Sequence, residues 1–114
     1  MSDDCIFCKI VSGDLGATVV RESEHTLAFR DINAQAPTHV LVVPREHLPT
    51  AADLAGRPEL LAEVVAEAAA VAAAESVADE GYRLVFNTGA RAGQTVFHVH
   101  LHVLGGRDLR WPPG

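Results

Sequence analysis

Apolar positions along the chain recur in two periods, and those periods mark out its elements. Ile6, Phe7, Ile10 and Val11 share one helical face, and Ser12-Gly13-Asp14 supplies a stop, so a short N-terminal helix is predicted. Thr18 to Glu22 and Thr26 to Ile32 read as strands, joined into a hairpin by the polar link Ser23-Glu24-His25. His39 to Val43 is a β-branched apolar run that stops at Pro44, giving a third strand. Thr50 to Leu54 reads as a short turn or helix. Pro58 suits the first turn of a long helix in which Leu61, Val64, Val65, Ala68, Val71 and Ala72 recur at helical spacing. Glu59, Glu63 and Glu67 are expected to face away from that stripe, and Gly81 to end the helix. Tyr82 to Asn87 and Val96 to Leu104 form the fourth and fifth strands. The loop between them, Thr88 to Thr95, is too short for a parallel crossover, so the pair is expected to be antiparallel. The prolines of the tail Arg110-Trp111-Pro112-Pro113-Gly114 favour an extended segment.

Strands, then a long helix, then strands again predict an α+β domain with the helix on one face of a five-stranded antiparallel sheet. The 114 residues fit a single domain spanning 1–114, with no internal repeat and no linker. The alanine-rich stretch from Ala62 to Ala78 lies within the helical pattern and agrees with it, because alanine is the best helix former. A net charge of −6 argues against a general binder of nucleic acid or anionic membranes, although a local site can still hold a small anion. The acidic start Met1-Ser2-Asp3-Asp4 lacks the features of a signal peptide, and no segment is long and apolar enough to span a bilayer. The cytoplasm is the expected location. Two cysteines three positions apart do not make a disulfide framework.

The chemistry concentrates in Phe97-His98-Val99-His100-Leu101-His102-Val103-Leu104. Side chains alternate across a strand, so Val99, Leu101 and Val103 are expected against the helix. His98, His100 and His102 then form a row of imidazoles on the other face, about 6.7 Å apart. A plain solvated strand face would be served as well by Thr, Lys, Glu or Gln, so three histidines there point to chemistry. Taken alone, the row suits metal ligation and nucleophilic attack equally. The preceding loop, Asn87-Thr88-Gly89-Ala90-Arg91-Ala92-Gly93-Gln94-Thr95, favours the second. Its glycines allow backbone N–H groups to converge on an anion, and Asn87 and Thr95 add side-chain donors. A neutral imidazole is a good nucleophile near pH 7 and can attack phosphorus, while a second histidine binds phosphate oxygens or passes a proton. No catalytic metal is needed if N–H groups and imidazoles carry the charge that develops.

These histidines resemble the signature of the histidine triad (HIT) superfamily. Asp31-Ile32, Ala36-Pro37-Thr38-His39, Gly81-Tyr82-Arg83, Gly93-Gln94, His98 to Gly106 and Trp111-Pro112-Pro113-Gly114 are similar to its Hint branch, the histidine triad nucleotide-binding proteins. The resemblance runs over nearly the whole chain. It implies a purine nucleoside phosphoramidase that converts substrates such as adenosine 5′-phosphoramidate to AMP. His100 would be the nucleophile that becomes nucleotidylated, flanked by His98 and by His102 near the phosphate, with His39 joining the cluster. Asp31 would hold the ribose. Phe7, Ile10, Phe29 and Ile32, with Ile6 nearby, would form the base pocket, and Asn87, Gly93 and Thr95 would contact phosphate. Thr95 stands where the branch commonly has serine; it keeps the hydroxyl that would serve the leaving group and adds a methyl. The resemblance also implies a homodimer with the sheet continued across the interface and Trp111 reaching toward the partner's site. Without the resemblance, Phe7, Ile10 and Phe29 read better as plain core.

Cys5-x-x-Cys8 supplies half of a tetrahedral zinc site, and His47 and His98 are candidates for the other half. Bacterial relatives of the family share this pattern, which implies a structural zinc and a structural His98. Two reduced core cysteines or a redox pair are the alternatives, although a redox pair usually follows a strand. At the level of function, the readings that compete with the phosphoramidase are a dinucleoside polyphosphate hydrolase, a non-catalytic nucleotide-binding regulatory module, and a zinc hydrolase using the triad as ligands.

Overall fold

The computed structural model describes residues 4–114. Its elements are α1 (Ile6–Ser12), β1 (Val19–Glu22), β2 (Thr26–Arg30), β3 (Thr38–Pro44), α2 (Ala51–Leu54), α3 (Pro58–Ala74), β4 (Tyr82–Val85) and β5 (Leu101–Gly105). The five strands form one antiparallel sheet in the order β1-β2-β3-β5-β4, as the α+β reading requires. No helix among the described residues is long and apolar enough to cross a membrane.

The central strand β3 is buried at all seven positions, so both faces of the sheet are covered. Alternation sorts its side chains. Val40 and Val42, with Ala28 of β2 and Leu101 and Val103 of β5, meet Val64, Ala68 and Val71 of α3. Leu41 and Val43, with Leu27 and Phe29 of β2, meet Cys5, Phe7 and Cys8 from the α1 region on the opposite face. Apolar spacing alone could not say on which side α1 packs.

Several boundaries differ from the sequence reading. The long helix ends at Ala74 and not at Gly81. Ser76 adopts the left-handed conformation (φ 61°), its N–H donating to Ala73 O and the Val77 N–H to Ala72 O. These two bonds satisfy the last carbonyls, and buried Val77 then packs so close to Gly105 that a Cβ there would lie 2.9 Å from its own Cβ. Strand β2 stops at Arg30, leaving Asp31 and Ile32 outside it, and β4 stops at Val85 instead of Asn87. Strand β5 begins only at Leu101, so His98 and His100 precede it. The ladder to β3 ends at the Val42–Leu101 pair because at the next hydrogen-bonding position, where Pro44 would face Val99, the proline has no N–H to offer. The Val99 N–H bonds Leu48 O instead (2.7 Å).

Glu67 does not face away from the core. It is buried, accepts a hydrogen bond from the Thr26 hydroxyl at 2.7 Å and pairs with Arg21. Glu63 accepts from the Ser23 hydroxyl (2.6 Å), the His25 N–H and the His25 ring, and Glu75 pairs with Arg30 through two hydrogen bonds. Glu63 and Glu67 of α3, with Glu75 just beyond its end, thus pin the β1–β2 hairpin to the helix. Val65 of the expected stripe is exposed.

The Glu63 contacts predict a pH window for stability. The hydrogen bond from Ser23, then those from His25, pull the Glu63 pKa down to about 2, and the Glu63 contact raises that of His25 above its ordinary 6.5. Stability from the glutamate is present above pH 4.5 and is lost as pH falls toward 2. The contribution of His25 is present below pH 6.5 and is lost as pH rises through its raised value. Denaturation midpoints of wild type and Glu63→Gln should therefore differ most between pH 4.5 and 6.5 and converge toward pH 2. A difference independent of pH would refute the contact.

Candidate active site

The register of β3 against β5 places His39 opposite Leu104 and Leu41 opposite His102. Their histidines are thus diagonal neighbours on the face away from α3. There the His39 and His102 rings lie 5.2 Å apart, and His100 and His102 5.0 Å apart. The His100 ring stands edge-on to Phe7, 5.0 Å between centroids. On the opposite side Leu101 and Val103 meet α3, and Val99 meets Leu54 and Leu60. The alternation expected of a strand therefore survives into the irregular segment before β5.

Leaving the ladder early has a chemical consequence. The His98 carbonyl is free to accept the Nδ1–H of His100 at 2.9 Å. A neutral imidazole carries one ring proton, so His100 Nε2 is left with a lone pair. Burial pushes the pKa of His100 down, against the hydrogen bond to His98 and the charge of Asp31. Burial, then the neighbouring His100 and His39, brings His102 to about 4. His102 Nε2 is buried and has no hydrogen-bond partner.

Asp31 follows β2, and its main-chain N–H donates to His39 O (3.0 Å). One carboxylate oxygen accepts the Asn33 N–H and the other lies 3.3 Å from His39 Nε2. Of the residues expected at a base pocket, Phe7 and Phe29 are buried in the second core cluster with their rings 5.5 Å apart, and Ile10 packs against it. Ile32 is fully exposed.

The glycine loop is built differently from the expected amide cradle. The Gly89 N–H donates to Gln94 Oε1, the Ala92 and Gln94 N–H groups to Gly89 O, and the Gly93 N–H to Ala90 O. Buried Gln94 also donates to Pro49 O and Val96 O, clamping the loop to the segment after β3. Those amides are spent inside the loop. Thr95 is exposed and lines a cavity of about 340 Å³ together with Asp4, Cys5, Ile6, His47, Val96 and Phe97. Asn87 is half-buried. Trp111 is exposed, on a tail held at its root by Arg83 Nη2, which donates to Leu109 O and Arg110 O.

The fourfold set Cys5, Cys8, His47 and His98 comes together, its ligand atoms all within 4.8 Å of one another. His98 Nδ1 lies 3.4 Å from Cys5 Sγ and 3.5 Å from Cys8 Sγ, and His47 Nδ1 lies 3.3 Å from Cys8 Sγ. Zn–S and Zn–N bonds at a tetrahedral angle give an N···S edge of roughly 3.5 Å. His98 Nε2–H donates to Pro44 O (2.8 Å), which leaves Nδ1 free as a ligand and fixes the ring. The donors and their spacing fit a metal ion of zinc's preferences.

Sequence reasoning missed Gln94, whose side chain organises the loop, and Gln35, whose main-chain N–H donates to His39 Nδ1 at 3.0 Å. The first left only the dipeptide Gly93-Gln94 as a signal, and the second left none, since any residue but proline supplies an N–H.

Comparison with known proteins agrees with this geometry. The model of the HIT domain family matches residues 12–109. The purine nucleoside phosphoramidase of Escherichia coli K12 is 41% identical over 110 residues, covering 96% of this chain and 92% of that protein. A HIT-like protein of Synechocystis is 48% identical over the full length of both. The crystal structure of a HIT family hydrolase from Legionella pneumophila superposes with a TM-score of 0.94 at 51% identity, covering 97% of this chain and all of that one. The chain belongs to the HIT domain family.

Proposed function

We propose that this chain is a nucleotide hydrolase that cleaves the P–N bond of purine nucleoside phosphoramidates, such as adenosine 5′-phosphoramidate, through a nucleotidyl-His100 intermediate. The observation that carries the reading is the tether of His100 Nδ1–H to the His98 carbonyl, which leaves Nε2 as the attacking atom. The phosphoramidase of Escherichia coli, at 41% identity, supports the substrate class.

In the first step His100 Nε2 bonds to phosphorus and the P–N bond breaks, the amine leaving with a proton. In the second, water attacks phosphorus, the bond to His100 breaks, and AMP departs. His102, the donor beside His100, holds a phosphate oxygen. Asn87 and the Thr95 hydroxyl bind the phosphate, whereas the Gly93 N–H is used within the loop. Thr95 also serves the leaving group. Asp31 binds the ribose, and Phe7, Ile10, Phe29 and Ile32 border the base. His39 positions His102. A dinucleoside polyphosphate would meet the same nucleophile, and pure protein offered both substrates separates the two.

Zinc held by Cys5, Cys8, His47 and His98 would be structural, tying the N-terminal segment to the residues that precede β5, with no catalytic metal. The chain would act as a homodimer through the edge strand β4, whose outer ladder groups are open and whose Leu84 is exposed, with Trp111 directed toward the partner's site. A cytoplasmic location fits a reduced cysteine pair.

Incubation with adenosine 5′-phosphoramidate should release AMP, and His100→Ala should lower turnover by about 10³-fold or more. Equal turnover by the two proteins would reject the nucleophile. Protein purified without added zinc should carry about one equivalent, and Cys8→Ser should lose it and unfold at lower temperature. An unchanged melting temperature on chelation would remove the structural role. Leu84→Arg should halve the mass measured by light scattering; a monomeric wild type would dismiss the dimer.

A further inference from the structure

The group Asp31, His39 and His102 has ligand atoms close enough to hold a metal ion, and it also reads as a hydrogen-bonded chain. The Gln35 amide decides between them. It donates to His39 Nδ1, so that nitrogen presents its lone pair, and the proton of a neutral His39 must sit on Nε2. Burial lowers the pKa of His39, which favours the neutral ring. A protonated Nε2 cannot bind a metal. It can donate, and it faces His102 Nδ1 at 2.9 Å and Asp31 Oδ2 at 3.3 Å.

The chain then propagates. His102 Nδ1 accepts, so the single proton of neutral His102 sits on Nε2. That atom is buried, without a partner, and beside His100. Reversing the proton between the two rings would turn the lone pair of His39 Nε2 toward the Asp31 carboxylate, a repulsive contact. Two fixed features, a main-chain amide and a carboxylate, therefore bias both imidazoles the same way.

We propose that the Gln35 amide and Asp31, acting through His39, lock His102 as a neutral ring protonated on Nε2, so that it meets the phosphate as a hydrogen-bond donor and not as a proton source. Gln35, Asp31 and His39 are positioning residues in this scheme, and Asp31 has this duty besides any contact with ribose. The donor role rests on the phosphoryl-transfer reading above; the tautomer does not. The proton taken by the leaving amine then comes from water, either directly or relayed through the Thr95 hydroxyl, which regains a proton from that water.

Nitrogen-15 spectra of the free protein at pH 7 read the tautomer without substrate. His102 should be neutral with its proton on Nε2. His39→Ala should give a mixture of tautomers, and His39→Gln, whose amide N–H can donate to Nδ1, should restore one. A His102 that is doubly protonated, or protonated on Nδ1, overturns the proposal even if the His39 variants fail to fold. Turnover of adenosine 5′-phosphoramidate separates donor from acid. His102→Gln, which keeps a neutral N–H, should lose no more than about tenfold, whereas His102→Ala should lose about 10²–10³-fold. Equal large losses would make His102 the acid. A wild type that releases no AMP would fail the phosphoramidase reading alone, and the spectra would still decide the tautomer.

Discussion

The site depends on one hydrogen bond, from the His100 ring to the carbonyl of His98 two residues earlier. In a regular antiparallel ladder that carbonyl would be directed at a neighbouring strand or at solvent in the plane of the sheet. It is available to an imidazole because the chain has not yet entered β5. Pro44 ends the pairing with β3 and turns its own carbonyl to the His98 ring, while Leu48 takes the Val99 N–H. His98 is thereby held at both ring nitrogens and used at its carbonyl. One residue thus links the cysteine cluster to the His100 ring.

The two faces of the sheet divide the work. The α3 face is a conventional apolar interface, with Val40, Val42, Leu101 and Val103 against Val64, Ala68 and Val71. Such burial is insensitive to pH and tolerant of detail, and it supplies the rigidity on which the other face relies. The α1 face is polar at its centre. Each imidazole there has at least one nitrogen committed to a named partner, and those partners are main-chain groups or residues fixed by main-chain groups. Three of these rings, His39, His98 and His100, are oriented directly by main-chain groups.

Much of this was legible in the sequence. The period of two in Val99-His100-Leu101-His102-Val103 separated imidazoles from core correctly, and the helical stripe of Val64, Ala68 and Val71 found its partners. The spacing of Cys5 and Cys8 marked two members of a fourfold set that could hold a metal ion, and His47 and His98 lie beside them as expected. What escaped has a common cause. The early end of α3 depends on Ser76 accepting a left-handed conformation so that Val77 can pack on Gly105, a tertiary demand that overrides the signal of Gly81. Glu67 is buried because Arg21 of β1 and Thr26 of β2 reach it across the sheet–helix interface. The loop glycines suggested an amide cradle, yet Gln94 turned the Gly89 amide inward. Local pattern does not encode partners distant in sequence. The β5 boundary, placed too early, failed where a regular strand would have removed the His98 carbonyl from the site.

The central claim is that His100 becomes covalently attached to the nucleotide. It is tested most directly by acid-free rapid quenching of the wild-type protein with adenosine 5′-phosphoramidate, followed by intact-mass and peptide mass spectrometry. The account predicts a transient mass increase of one adenylyl group confined to the peptide carrying His100 and located on that residue. An adduct on another residue, or AMP formed within single turnovers with no adduct at any time resolved, would contradict it.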